Sequence, residues 1–188
     1  MSILPARLIV LDTETTGFPR HDWSRVIELG AVALDLDGNE VSSFASLVCP
    51  DILDDRATKA LEINHIEAHE LRSAPPTTRV VPDFRAWAAS TGARYVTSFN
   101  VGFDRPMVAR MGLDLSWASC VMERAMDVMG PAGALPAGPY GGWKWPKLSE
   151  AAEFFGVAVE GDAHRALTDA RTAARIAVAI KRSERGAA

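Results

Sequence analysis

An apolar stretch, Leu8-Ile9-Val10-Leu11, runs without a break into Asp12-Thr13-Glu14-Thr15-Thr16-Gly17, and this junction constrains the fold more than any other part of the chain. The apolar run has the character of a strand buried on both faces. Strand side chains alternate, so Asp12 and Glu14 share one face at its carboxyl end while Thr13 points to the other. Two like charges about 4 Å apart repel by about 4 kcal/mol at an effective dielectric near 20. The pair therefore calls for a cation, and its hard oxygen donors favour Mg²⁺ or Mn²⁺ over zinc.

The remaining sequence sets the frame around that strand. At 188 residues and 48% hydrophobic content, residues 1–188 have the size and core of a single domain. A net charge of −4 and a pI near 5.6 argue against a protein that coats nucleic acid by bulk electrostatics, and leave open one that meets it locally through metals. Cys49 and Cys120 are far apart and form no C-x-x-C pair, as expected of reduced core or strand thiols. The first five residues lack a signal-peptide pattern, and no run approaches the roughly 18 apolar residues of a membrane span. A soluble, cytoplasmic protein without a membrane partner is the expectation.

Residues 26–34 form a second apolar, β-branched segment, Asp37-Gly38 carries a two-residue hairpin signal, and residues 40–48 return. Three antiparallel strands therefore open the chain. Short helical pieces broken near Asn64 follow over 56–72, then a helix over 82–90 with Phe84, Trp87 and Ala88 on one face. A fourth strand is expected over 95–99, a helix with Pro106 in its first turn, and a fifth strand over 115–122. Residues 130–147 form a Gly/Pro/Trp-rich loop with Tyr140, Trp143 and Trp145, of the long kind that is usually functional or mobile. A short helix over 148–155 closed by Gly156 and a last helix over about 165–182, with an alanine face (Ala166, Ala170, Ala173, Ala174, Ala177), complete the chain. The order predicts a mixed five-stranded α/β sheet, three antiparallel strands then two parallel, with helices on both faces.

Two more stretches match the opening carboxylates. Asn100-Val101-Gly102-Phe103-Asp104 places an acid where a helix begins, and His164-Arg165-Ala166-Leu167-Thr168-Asp169-Ala170 places a histidine before a helix and an acid in its first turns. With D-x-E-T-T-G, these motifs stand in the order found in the DEDDh group of 3′-to-5′ exonucleases, which includes the polymerase III epsilon subunit, RNase T and oligoribonuclease. The chain resembles that family over nearly its whole length, and the His164 to Asp169 spacing marks the histidine branch. Three motifs in order are a specific signal, where any one would be weak.

The resemblance implies an RNase H-like fold and a two-metal phosphodiesterase. Asp12, Glu14, Asp104 and Asp169 would bring about four negative charges into one cleft, which two divalent ions, Mg²⁺ or Mn²⁺, neutralise. A histidine side chain exchanges protons in the neutral range, so His164 suits a general base toward the attacking water. Thr15, Thr16 and Gly17 would let backbone amides approach the terminal nucleotide, Phe103 would lie near its base or sugar, and Asn100 would support the site. The implied activity is hydrolysis from the 3′ ends of single-stranded nucleic acid, DNA first, releasing nucleoside 5′-monophosphates in replication and repair.

Plainer readings stand beside these. Asp104 alone is as readily a helix cap, and Asp162 reads as one. Asp169 alone reads as a solvated charge, and His65 and His69 as structural histidines. Trp143, Lys144, Trp145 and Lys147 read somewhat more as an anchor for their loop than as a platform for single-stranded bases. Arg165, Arg171, Arg175, Lys181, Arg182 and Arg185 read as a solvated helix face. Asn64-His65-Ile66 stands where family members often carry His-Gly-Ile, and Phe99 where many carry histidine. A polymerase-binding tail is not recognisable. The alternatives are a 3′-to-5′ exoribonuclease and a catalytically silent nucleic-acid-binding module. Four clustered carboxylates would repel a phosphate ligand in the latter.

Overall fold

Strand β1 (Leu8–Thr15) is central because both of its faces are apolar: Val10 packs into one core, and Ile9 and Leu11 into the other. A computed structural model describes residues 7–139, 141–161 and 164–186, with side chains through residue 184. Tyr140, Asp162 and the side chain of Arg185 lie outside the described residues. β2 (Val26–Leu34) pairs antiparallel with β1, β3 (Glu40–Leu47) antiparallel with β2, and β4 (Tyr95–Thr97) parallel with β1, giving the order β3-β2-β1-β4.

The sheet thus has four strands where five were expected. Residues 115–122 reach β4 only at an isolated bridge, Val96 with Trp117. β4 is three residues long and offers no longer ladder, and Val121 already opens the next helix. The hairpin after β2 is present, but Asp35 widens its turn. Its carboxylate accepts from the amides of Asp37 and Asn39 at 2.9 and 2.8 Å, so residues 35–39 form the loop rather than Asp37-Gly38 alone, with Gly38 at φ 90°.

The helices are α1 (Thr58–Asn64), α2 (Ala68–Ser73), α3 (Thr77–Thr91), α4 (Val101–Arg110), α5 (Val121–Met129), α6 (Leu148–Phe154) and α7 (Ala166–Gly186). Two of them begin earlier than their prolines suggest. Pro82 and Pro106 each stand sixth in their helix, where a proline forfeits one backbone hydrogen bond. Both are exposed, and Val80, Val81 and Phe84, or Met107 and Val108, hold the helix to the core instead. α3 and α4 cover the Ile9 and Leu11 face of the sheet. α5, α6 and α7 cover the Val10 face.

α7 lies very close to β2. Ala166, Ala170, Ala173 and Ala174 are buried, and a methyl group on Gly30 would stand 2.2 Å from the Leu167 nitrogen and 2.3 Å from the Ala166 carbonyl carbon. No side chain fits at that distance. Gly30 also pairs in register with Asp12, so the helix start is seated directly beside the carboxylates. The Gly30→Ala variant is expected to push α7 off the sheet, lowering stability by about 1–3 kcal/mol as overpacking does. The same shift would move Asp169 away from Asp12, and any activity that depends on these acids is expected to fall about 10²-fold. A thermal melt and a rate assay on the purified variant check both. Among the described residues, no helix is long and apolar enough to cross a membrane.

Candidate active site

The strand period delivers Asp12 and Glu14 to the α7 side of the sheet, and the first turns of α7 supply Asp169. Single carboxylate oxygens of Asp12, Glu14 and Asp169 all lie within 4.8 Å of one another. None of the three makes an ion pair with lysine or arginine among the described residues. Asp104 is not in that group. It lies buried in the first turn of α4, where it accepts a 2.7 Å hydrogen bond from Thr13 Oγ1. It is not a cap, because Asn100 occupies the N-cap position and its carbonyl accepts from the amides of Phe103 and Asp104 at 2.8 and 3.2 Å. Thr13 is therefore the reason the strand's outward residue matters: it faces α4 and fixes the fourth acid.

The electrostatics follow from this crowding. Burial raises the Asp12 carboxyl well above the usual range, and the charges of Asp104, Glu14, Asp169 and Glu28 raise it further. Glu14 is pushed up to about 8, by burial first and then by Asp169, Glu28 and Asp104, with Arg165 opposing. Burial raises Asp104 to about 6 against the hydrogen bonds from Thr13. Asp169 is raised by burial, with His164 pulling the other way. A protein alone gains nothing by packing acids this way. A donor set made only of carboxylate oxygens fits hard divalent cations.

Glu28 is a fifth acid, absent from the motif reading. It pairs in register with Glu14 and is buried at 5% exposure. Its charge is answered within the protein: the Arg165 guanidinium approaches to 2.8 Å and the Ala166 amide to 3.0 Å. Arg165 is thus partly exposed but paired, not a free surface charge. It fastens the start of α7 to β2 beside His164. Arg171 and Arg175 pair in turn with Glu40 and Glu160, and Lys181 donates to the Leu36 carbonyl. A lone acid in the otherwise apolar Val26–Leu34 strand was the available signal for Glu28.

His164 is exposed and adopts φ 61°, a left-handed conformation that few non-glycine residues hold and that clusters at functional sites. Thr15 and Thr16 are buried and shape the turn: Thr15 Oγ1 donates to the Gly17 carbonyl, and Thr16 Oγ1 accepts from the Arg25 amide, each at 2.8 Å. A side chain at Gly17 would meet the Trp23 ring at 2.7 Å. Arg110 pins the following loop through the carbonyls of Pro19, His21 and Ser24 at 2.8–3.0 Å. Asn64 is buried and donates to the Thr15 carbonyl at 3.4 Å, and His65 takes φ 53°, the region glycine prefers. Asn100 and Phe103 line an open groove beside Asp104. The Trp143 to Lys147 cluster divides. Trp143 lies on Gly130, whose missing side chain would sit 2.2 Å from the indole, whereas Trp145 is 67% exposed.

A mixed sheet of this order, flanked by helices and carrying its acids at the end of the central strand, is an RNase H-like fold. The chain belongs to the RNase T exonuclease family, whose sequence profile matches residues 9–177. The fold is similar to that of the cell-death related nuclease CRN-4, with a TM-score of 0.73 at 16% identity over 94% of this chain and 64% of that one. It is also similar to E. coli Exonuclease I in complex with a dA16 oligonucleotide (0.72, 19%, 93% and 40%) and to Exonuclease I from Methylocaldum szegediense (0.72, 19%, 93% and 40%). The chain spans less than two thirds of each of these proteins. No curated protein matches it in sequence.

Proposed function

We propose that residues 1–188 act as one exonuclease unit that hydrolyses single-stranded nucleic acid, DNA first, from the 3′ end and releases nucleoside 5′-monophosphates. The observation that carries this reading is the set of three carboxylates whose oxygens lie within 4.8 Å of one another. Asp12, Glu14 and Asp169, with Asp104 alongside, would hold two Mg²⁺ or Mn²⁺ ions. Such ions neutralise charge on the phosphate and stabilise the oxygen that leaves. DNA is favoured because Exonuclease I, to which the fold is similar, holds a dA16 oligonucleotide.

The chain's own groups supply the rest. His164 projects from the turn before α7 and takes the proton of the attacking water, whose oxygen bonds to phosphorus as the bond to the 3′ oxygen breaks. Asp169 lies close enough to feel His164 electrostatically and steadies the imidazolium that forms. The Glu28–Arg165 pair holds the backbone next to His164. The turn at Thr15, Thr16 and Gly17 presents backbone to the terminal nucleotide, and Phe103 with Asn100 borders its base.

His164→Ala is expected to slow hydrolysis about 10²–10⁴-fold without weakening Mg²⁺ binding by calorimetry. An unchanged rate would remove the base from its role. Matched DNA and RNA strands, each labelled at the 5′ end, decide the sugar preference, and faster loss of the RNA would identify an exoribonuclease.

A further inference from the structure

The groove beside Asp104 is about 360 Å³ and is bordered by Phe18, Arg20, Asn100, Phe103, Glu123 and Trp145. Two of its residues adjoin the acidic segments in the chain: Phe18 follows the Thr15-Thr16-Gly17 turn, and Phe103 immediately precedes Asp104. Phe18 meets Phe103 edge-on at 6.4 Å, and the Arg20 guanidinium lies 4.6 Å from the centre of the Phe18 ring. Phe18 is 54% exposed, and Trp145, at 67%, is the most open of the large apolar side chains described.

The exposure of Trp145 is built in rather than left over. Its loop is fastened on both sides, by Trp143 on Gly130, by the Lys144 amide to the Pro136 carbonyl at 2.9 Å, by Lys144 Nζ to Glu150 at 2.6 Å, and by buried Pro146. A tryptophan presented on an anchored segment, lining the same groove as a second exposed aromatic ring, suits one ligand chemistry above others. That ligand is a flat, polar-edged π system, such as a nucleobase.

We propose that Trp145 is a nucleobase-stacking residue, closing the outer wall of the groove over an unpaired base of the substrate strand. Arg20, on the rim of the same groove, would meet a phosphate of that strand. The inference rests on the nuclease reading and deepens it by naming a residue of this chain that holds a base of the single strand. Stacking does not distinguish bases, so the site tolerates any sequence.

The test compares Trp145→Ala and Trp145→Phe with the wild type. On oligo(dT), Trp145→Ala is expected to raise KM about 5- to 150-fold, the range one stacked base supplies, with kcat unchanged, and Trp145→Phe to recover most of the loss. A strand carrying abasic residues at its 3′ end is expected to show equal KM in all three proteins. In EDTA, where no turnover occurs, oligo(dT) is expected to quench wild-type tryptophan fluorescence more strongly than that of Trp145→Phe. An unchanged KM, or an equal rise on the abasic strand, would overturn the stacking role while leaving the exonuclease reading intact. Trp145-dependent quenching by oligo(dT) in a protein that degrades no nucleic acid would keep the subsite and overturn the exonuclease reading.

Discussion

Asp12→Asn is expected to abolish nuclease turnover and, in the same protein, to raise the thermal midpoint of the metal-free chain. The two effects share one cause. Asp12 lies at the meeting point of four other carboxylates, and its own carboxyl is raised by burial and by their charges. An amide of the same shape removes that repulsion, so the metal-free fold gains. It also removes the donor around which Asp12, Glu14 and Asp169 converge, so the nuclease rate is expected to fall by about 10³-fold or more, the scale on which one preorganised electrostatic group acts. Sites that store strain for function are stabilised by this kind of change. A melt in EDTA beside a rate assay in Mg²⁺ reads both. A variant that is inactive and also less stable would place Asp12 in the framework of the fold instead.

The second large effect is a stability that falls with pH in the absence of metal. Glu14 titrates near 8 in the folded chain against 4.5 as a free side chain, and Asp104 near 6 against 3.8. Between these values the folded state holds protons that the unfolded state has released, so raising the pH favours unfolding. The stability these groups confer is complete below about pH 4 and lost by about pH 8. For Glu14 alone the difference is of order a few kcal/mol, a fall in midpoint of about 5–15 °C for a chain of this size. The steepest part is expected between about pH 4.5 and 6, where both groups hold a proton in the folded chain and have lost it in the unfolded one, and the fall continues at about half that slope to pH 8 as Glu14 alone contributes. Mg²⁺ would bind only the folded, deprotonated site, so its addition is expected to restore the midpoint and flatten the dependence. Glu14→Gln is expected to flatten it without metal. Melts across that range with and without Mg²⁺ test the linkage. A midpoint that holds steady to pH 9 in EDTA would contradict it.

What the sequence shows of this molecule depends on how far apart the interacting parts lie. The alternation Asp12-Thr13-Glu14 is local, and the structure reproduces it: two acids on one face and Thr13 on the other. The meaning of Thr13 is not local, because its partner Asp104 is 91 residues away. Glu28 and Arg165 are 137 apart, and neither has a neighbour in sequence that hints at the other. Arg165 therefore reads as solvated and Glu28 as an oddity within an apolar strand. The same limit explains the missing fifth strand. Residues 115–122 have strand-like composition, but pairing needs a ladder, and three-residue β4 supplies almost none. Pro82 and Pro106 mislead for the opposite reason. Proline is a strong local signal for a helix start, and burial of Val80, Val81, Met107 and Val108 overrides it. Trp143 and Trp145 look equivalent in the sequence, and only the close seat at Gly130 separates the anchor from the exposed ring.

The most direct test of the account follows the fate of a single strand labelled at its 5′ end, incubated with the wild-type protein in Mg²⁺, in EDTA, and with Asp12→Asn in Mg²⁺. The account predicts a ladder that shortens from the 3′ end in Mg²⁺ alone, with nucleoside 5′-monophosphates as the released product. Shortening that persists in EDTA or in Asp12→Asn, or label released at once from the 5′ end, would contradict it.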